Sequence, residues 1–120
     1  MQDYILEICA DSAESAIAAE KGGATRLELC QNLIIGGTTP GPKLFEIVRH
    51  AVEIPVHVLI RPRFGDFCYS DYEMEQIKEE IKMFRELGAD EHAKRFQGVY
   101  GASPEFQIRL QTGSGDMRLE

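Results

Sequence analysis

The sequence predicts an α/β fold with a parallel sheet, because three units of a short apolar strand followed by a helix succeed one another over residues 4–90. A chain of 120 residues suits a single domain with a modest core. The 43% hydrophobic and 28% charged residues are typical of a globular protein and exclude a disordered chain.

The first unit pairs a buried strand with a small-residue helix. Residues 4–10 (YILEICA) form a short apolar run with one acid, which favours a strand covered on both faces. Residues 11–23 (DSAESAIAAEKGG) predict a helix that begins at Asp11 or Ser12 and ends at one of the two closing glycines.

The second unit repeats this order with a longer connection. Residues 25–30 (TRLELC) predict a strand, and residues 31–42 predict a loop because they contain three glycines and two prolines. Residues 43–52 predict a helix. Its expected packing face consists of Leu44, Ile47 and Val48.

The third unit has the clearest helix. Residues 54–60 (IPVHVLI) are rich in β-branched residues and predict a strand, and the loop 61–70 follows. A helix over residues 70–90 begins with a capping box of Ser70 and Glu73. Its apolar stripe is formed by Met74, Ile77, Ile81, Phe84 and Leu87.

Residues 91–120 depart from the pattern. No apolar run follows the third helix, so we expect no fourth strand there, and only residues 106–110 (FQIRL) alternate as a strand would. We therefore predict one unit of three strand–helix pairs over residues 1–90 and a divergent tail over residues 91–120.

The charge and the amino-terminal sequence limit the partners and the compartment. A formal net charge of −7 argues against a nucleic-acid partner, because phosphate binding needs clustered Lys and Arg. No stretch approaches the length of apolar sequence that a membrane span requires, and the residues after Met1 do not resemble a secretory signal. The odd count of three cysteines makes a disulfide framework improbable. We expect a cytoplasmic protein.

Three charged side chains fall where parallel α/β sheets bind ligands, toward the carboxyl ends of the strands. Strand alternation places Glu7, Glu28 and Arg61 on one face, and we expect them to converge if the three strands are neighbours. One interpretation is an ion-pair network that fixes the interior. The other is a catalytic centre, in which one glutamate is a general base and Arg61 with Arg63 binds an anionic group. His57, in mid-strand, is predicted to be a satisfied interior histidine.

Two thiols share that face. Cys9 and Cys30 follow the two glutamates by two residues in the related segments LEIC and LELC, so we expect them side by side on adjacent strands. Two thiolates could hold a soft ion such as Cu(I) in near-linear coordination. Equally, cysteine is a small apolar residue that packs well in an interior.

Two long segments resemble a known family. "LEICADSAESAIAAEKGGATRLELCQNLIIGGTTP", followed by "IPVHVLIRPRFGDFCYSD", is similar to the amino-terminal part of the CutC family, the copper homeostasis proteins. The resemblance covers about residues 4–90. Its specific motifs are the repeated Glu-x-Cys, GGTTP and IRPRxGDFxYS.

The resemblance implies a cytosolic (β/α)8 (TIM) barrel linked to copper handling. Cys9 and Cys30 match the pair proposed to bind Cu(I) in the family. The catalytic candidates Glu7, Glu28 and Arg61 match motif positions at the strand ends. Arg63 and Asp66 match further motif positions and are the candidate substrate-binding residues.

The sequence also departs from the family pattern. Phe64 replaces the glycine of the common form RPRGGDF, and the later strands, including an FHRAFD segment, are missing. The fold expected is thus a partial, truncated TIM-like barrel whose open strand edges favour a homo-oligomer. Three functions stay open: a cytosolic copper-binding protein, a barrel enzyme acting on a small polar substrate, and an inactive fragment that self-associates.

Overall fold

A computed structural model describes residues 4–89 and the backbone of three later strands at residues 94–96, 108–111 and 116–119. Three strand–helix pairs come first, in the predicted order. The elements are β1 (Glu7–Ala10), α1 (Ala13–Lys21), β2 (Arg26–Leu29), a short 3-10 helix (Leu33–Ile35), α2 (Pro42–Ala51), β3 (Val56–Ile60) and α3 (Asp71–Glu86). The remaining strands are β4 (Lys94–Phe96), β5 (Ile108–Gln111) and β6 (Asp116–Leu119).

The strands form one six-stranded sheet in the order of the sequence. β1 to β5 pair in parallel, and β6 runs antiparallel to β5. The predicted α/β class with parallel strands is therefore confirmed. The expectation that no strand follows α3 is wrong, because β4 pairs with β3 over Val58–Lys94, Leu59–Arg95 and Ile60–Phe96. This segment joins the sheet through backbone pairing, although its side chains lack an apolar pattern.

Local sequence signals set the helix boundaries. Ser12 rather than Asp11 caps α1, and its hydroxyl accepts a hydrogen bond from the Ser15 amide. Pro42 stands in the first turn of α2, where its missing amide proton costs nothing. The predicted capping box of α3 is present, since Ser70 and Glu73 each accept a hydrogen bond from the other's backbone amide.

The core lies between the three helices and one face of the sheet. β2 and β3 supply five of its aliphatic side chains, and α2 and α3 contribute Phe45 and Phe84, whose rings meet edge to face at 5.6 Å. The predicted α3 stripe is confirmed. In α2 the buried residues are Phe45 and Val48, whereas Ile47 is 59% exposed, so the predicted packing face was wrong at Ile47.

Candidate functional site

The sheet has one apolar face and one face that carries the chemistry. Alternate residues of β2 and β3 (Leu27, Leu29, Val56, Val58 and Ile60) pack under the helices. The intervening residues point to the other face. They are Glu7, Cys9, Arg26, Glu28, Cys30, His57, Leu59 and Arg61, and we call this set the polar face.

The strand register decides which of these residues stand side by side. Cys9 lies opposite Glu28, and Glu28 lies opposite His57. Glu7 lies opposite Arg26. Aligning the segments LEIC and LELC would place Glu7 opposite Glu28 and Cys9 opposite Cys30. The observed register differs from that alignment by two residues, which the sequence did not predict. Neither the two glutamates nor the two cysteines are level with each other.

Glu7 belongs to the layer nearest the amino ends of the strands. Its carboxylate forms an ion pair with Arg26, with 2.7 Å between Nε and Oε2. The Nδ1 atom of buried His57 lies 3.8 Å from the same Oε2. Sequence reasoning missed Arg26, although the alternation of Arg26, Glu28 and Cys30 along β2 was a signal that all three share a face.

Cys9 and Glu28 form the next layer. The Cys9 thiol donates a hydrogen bond to Oε1 of Glu28 at 3.2 Å. Burial of the sulfur and the neighbouring Glu28 carboxylate raise the pKa of Cys9 to about 12, with a smaller contribution from Cys30. Cys9 stands partly exposed on the edge strand, whereas Glu28 is only 5% exposed. In this arrangement Cys9 is a neutral thiol and Glu28 is its hydrogen-bond acceptor.

Cys30 stands one layer closer to the loops. It is 1% exposed, and its thiol lies 3.7 Å from the carbonyl oxygen of Ala10. Burial, together with the charges of Glu28 and Asp11, raises the pKa of Cys30 to about 12. With a strand spacing of about 4.8 Å and a rise of about 3.3 Å per residue, the two-residue offset puts the Cα atoms of Cys9 and Cys30 about 8 Å apart.

Arg61 is separated from the glutamates. It follows His57, the neighbour of Glu28, by four residues, which is about 13 Å along a strand. Its guanidinium is buried and donates to the carbonyl oxygens of Ile35 (3.2 Å), Gly37 (3.0 Å) and Gly65 (3.2 Å). The expected convergence of Glu7, Glu28 and Arg61 is thus wrong, because the register and the length of β3 place Arg61 among the loops.

Arg63 and Asp66 organise the loop that leads into α3. Arg63 forms ion pairs with Glu73 and with Asp66, the latter at 3.2 Å, and its guanidinium lies 5.1 Å from the centre of the Tyr69 ring. Hydrogen bonds from the Ser70 amide and from Arg63 lower the pKa of Glu73, and those from the Cys68 amide and Arg63 lower the pKa of Asp66. The role of Arg63 and Asp66 in substrate binding stays a prediction.

The described residues limit what kind of metal site the chain could form. Within residues 4–89, no group of three or more His, Cys, Asp and Glu side chains is arranged to hold a metal ion. In the same part of the chain, no helix has the length and apolar character needed to cross a membrane.

Comparison with known proteins identifies relatives of this chain. A family model described as the CutC family matches residues 4–100. The chain is 52% identical over 87 residues to the copper homeostasis protein cutC homolog of Mus musculus, which covers 72% of this chain and 32% of the relative. The Homo sapiens homolog gives the same values. The family protein CutC of Porphyromonas gingivalis is 51% identical over 85 residues, or 71% of this chain and 34% of the relative.

A solved structure supports the same relationship. The crystal structure of a CutC protein from Streptococcus agalactiae superposes with a TM-score of 0.70 at 35% identity, covering 80% of this chain and 47% of that one. The described residues define an α/β protein in which parallel strands alternate with helices and one face of the sheet carries charged side chains. The chain belongs to the CutC family, and it spans about a third of the length of the curated relatives it matches.

Proposed function

We propose that this chain acts in copper homeostasis by binding one Cu(I) ion between Cys9 and Cys30. The proposal draws its general direction from family membership, since the mammalian relatives are named as copper homeostasis proteins. The single observation that carries the finer claim is the placement of two thiols on one side of the sheet, Cys9 in β1 and Cys30 directly after the end of the neighbouring parallel strand β2.

The diagonal offset of the two cysteines favours an ion over a disulfide. Their Cα atoms, about 8 Å apart, exceed the roughly 7 Å limit for a disulfide without backbone movement. An ion between the sulfurs lengthens the bridge and suits this greater separation. Thiolates are soft ligands that select Cu(I) over hard cations.

Glu28 gives the site a route for the proton that the metal displaces. A thiol binds a metal as the thiolate, so each ligand must lose its proton. The Cys9 thiol already donates to Glu28 Oε1 at 3.2 Å, and this carboxylate is positioned to accept the proton when the ion binds. Cys30 lies deeper, and its proton must leave past Gly37 or through the Glu28 side.

Titration with Cu(I) under anaerobic conditions tests the proposal, with a chromophoric chelator as competitor. The unmodified chain is expected to bind one ion with a thiolate absorption band, and Cys9→Ser or Cys30→Ser to lose both. Cys68→Ser is the matched control, because Cys68 is an exposed free thiol in the loop after β3. Undiminished binding by the Cys9→Ser, Cys30→Ser double variant would remove the proposal.

A further inference from the structure

Arg61 is tied to the loop that covers Cys30. Its Nη1 atom donates to the carbonyl oxygens of Ile35 and Gly37, and its Nη2 atom donates to that of Gly65. The Arg61 backbone also exchanges two hydrogen bonds with Thr39, one through the Thr39 hydroxyl at 2.8 Å and one through the Thr39 amide at 3.0 Å. One side chain thus joins the loop after β2 to the loop after β3.

Gly37 is the point at which this loop meets Cys30. A Cβ atom built on Gly37 would lie 3.5 Å from both Cβ and Sγ of Cys30 and 3.0 Å from Cδ2 of Leu59. Gly37 has a φ of +92°, a conformation that glycine adopts without strain. The backbone at Gly37 therefore lies about one methyl group away from the thiol, on a side from which Cys30, 1% exposed, would otherwise be open.

The charge of Arg61 has no carboxylate partner in the described part of the chain. Its guanidinium neighbours include three carbonyl oxygens, the ring of Phe67 at 5.2 Å and the Tyr69 hydroxyl. Its Nε atom is buried with no hydrogen-bond partner among the described residues, but its two terminal nitrogens donate to carbonyl oxygens of both loops and so hold those loops in one arrangement. This is a different role from the anion clamp that the sequence suggested.

We infer that Arg61 is a positioning residue: by holding the Gly37 carbonyl it keeps the loop of residues 31–38 closed over Cys30, and so controls the access and placement of that thiol. The inference rests on the proposed function where it concerns copper, but the closure itself is a property of the metal-free chain. An ion can then reach Cys30 only when the loop of residues 31–38 moves away from the thiol.

Thiol labelling of the metal-free chain tests the closure. Each cysteine is followed separately by mass spectrometry of its peptide during reaction with iodoacetamide. In Arg61→Ala we expect Cys30 to be labelled at least about tenfold faster, because the rate follows the population of the locally open form. Arg49→Ala is the matched control, since Arg49 also donates to two carbonyl oxygens, those of Val52 and Ile54, in another part of the fold.

Gly37→Ala provides a second route if Arg61→Ala fails to fold. Its new methyl group would lie 3.0 Å from Cδ2 of Leu59, closer than a Cβ atom normally packs, so the loop must shift off Leu59 and the neighbouring Cys30 while Arg61 stays intact. Gly23→Ala is its control, because Gly23 has a similar φ of +107° and no atom within 4 Å of the added methyl. Faster labelling of Cys30 in Gly37→Ala but not in Gly23→Ala supports the inference.

The outcomes separate this inference from the copper proposal. Unchanged Cys30 labelling in a folded Arg61→Ala chain, or, if that chain does not fold, in Gly37→Ala, would overturn the closure. An equal rise at Cys9 and Cys30 would also overturn it, since that result indicates general loosening.

For copper, Arg61→Ala is expected to bind Cu(I) more weakly and with an altered thiolate band. Copper binding that survives loss of both cysteines would remove the proposed function and leave the labelling result standing.

Discussion

The Cys9 thiol donates a hydrogen bond to Glu28 Oε1 at 3.2 Å across the first two strands of the sheet. The two residues are direct partners in the β1–β2 register, so the contact is set by backbone pairing. A carboxylate beside a thiol disfavours the thiolate, and a metal ion in place of the thiol proton reverses that effect. In the proposed Cu(I) site, this pair would couple proton loss from Cys9 to the binding of the ion.

Removing the Glu28 charge should make Cys9 more reactive. Glu28 is the leading cause after burial of the raised pKa of Cys9. In Glu28→Gln we expect the pKa of Cys9 to fall while staying above its ordinary value, because burial persists. The pH profile of Cys9 alkylation measures this change. Glu86→Gln, at the exposed end of α3, is the control, and an identical profile in both variants would contradict the electrostatic account.

Copper affinity should rise steeply with pH. The pKa values of Cys9 and Cys30 are both raised to about 12, so both thiols are protonated at neutral pH and both protons must leave when Cu(I) binds. The apparent association constant is then expected to increase by up to about a hundredfold per pH unit across pH 6–8. Chelator competition at several pH values measures it. An affinity independent of pH would exclude thiol ligands.

Ionisation of the Glu80 carboxyl should lower the free energy of unfolding as the pH rises. Glu80 lies on α3, and burial raises its pKa although hydrogen bonds with Gln76 and Thr39 oppose the shift. Because the folded-state pKa lies above the unfolded one, the stability present at low pH is lost as the pH rises through the folded-state value. Glu80→Gln keeps a hydrogen-bonding amide without the charge.

Melting temperatures across pH 4–8 check this expectation. Glu80→Gln should exceed the unmodified chain by about 1–4 °C at neutral pH, and the difference should shrink toward pH 4. Glu75→Gln, an exposed position on the same helix, should show no such trend. A Glu80→Gln chain that melts lower at every pH would show that the carboxylate is needed there.

Self-association is expected through the β1 edge. β1 stands at the end of the strand order, and the apolar side chains Ile5 and Ile8 are 64% and 37% exposed there. An uncovered edge strand with apolar neighbours is a site of pairing with another chain. Analytical ultracentrifugation at micromolar concentration should show oligomers that Ile5→Lys weakens. Ile47→Lys, on the exposed side of α2, should leave them unchanged, and a monomeric unmodified chain would contradict the prediction.

The sequence predicted which segments form strands and helices better than it predicted the register in which the strands pair. Apolar periodicity and capping residues placed the first three strands and helices correctly, since these signals act within a few residues. The strand register depends on contacts across the sheet, and the matching LEIC and LELC segments suggested the wrong one. For the same reason the sequence did not show that Arg26 pairs with Glu7, or that Arg61 reaches loop carbonyls instead of glutamates.

β4 shows a second limit of the sequence. Its residues carry no strand-like apolar pattern, yet they pair with the edge of β3. A strand can form where an open edge offers unpaired backbone groups, and a local pattern does not contain that information.

The most direct test of the copper proposal is X-ray absorption spectroscopy at the copper edge of the Cu(I)-loaded chain. The account predicts a first shell of two sulfur atoms that is lost in Cys9→Ser and in Cys30→Ser but kept in Cys68→Ser. A first shell of nitrogen or oxygen atoms alone, or a sulfur shell that persists without Cys9 and Cys30, would contradict it.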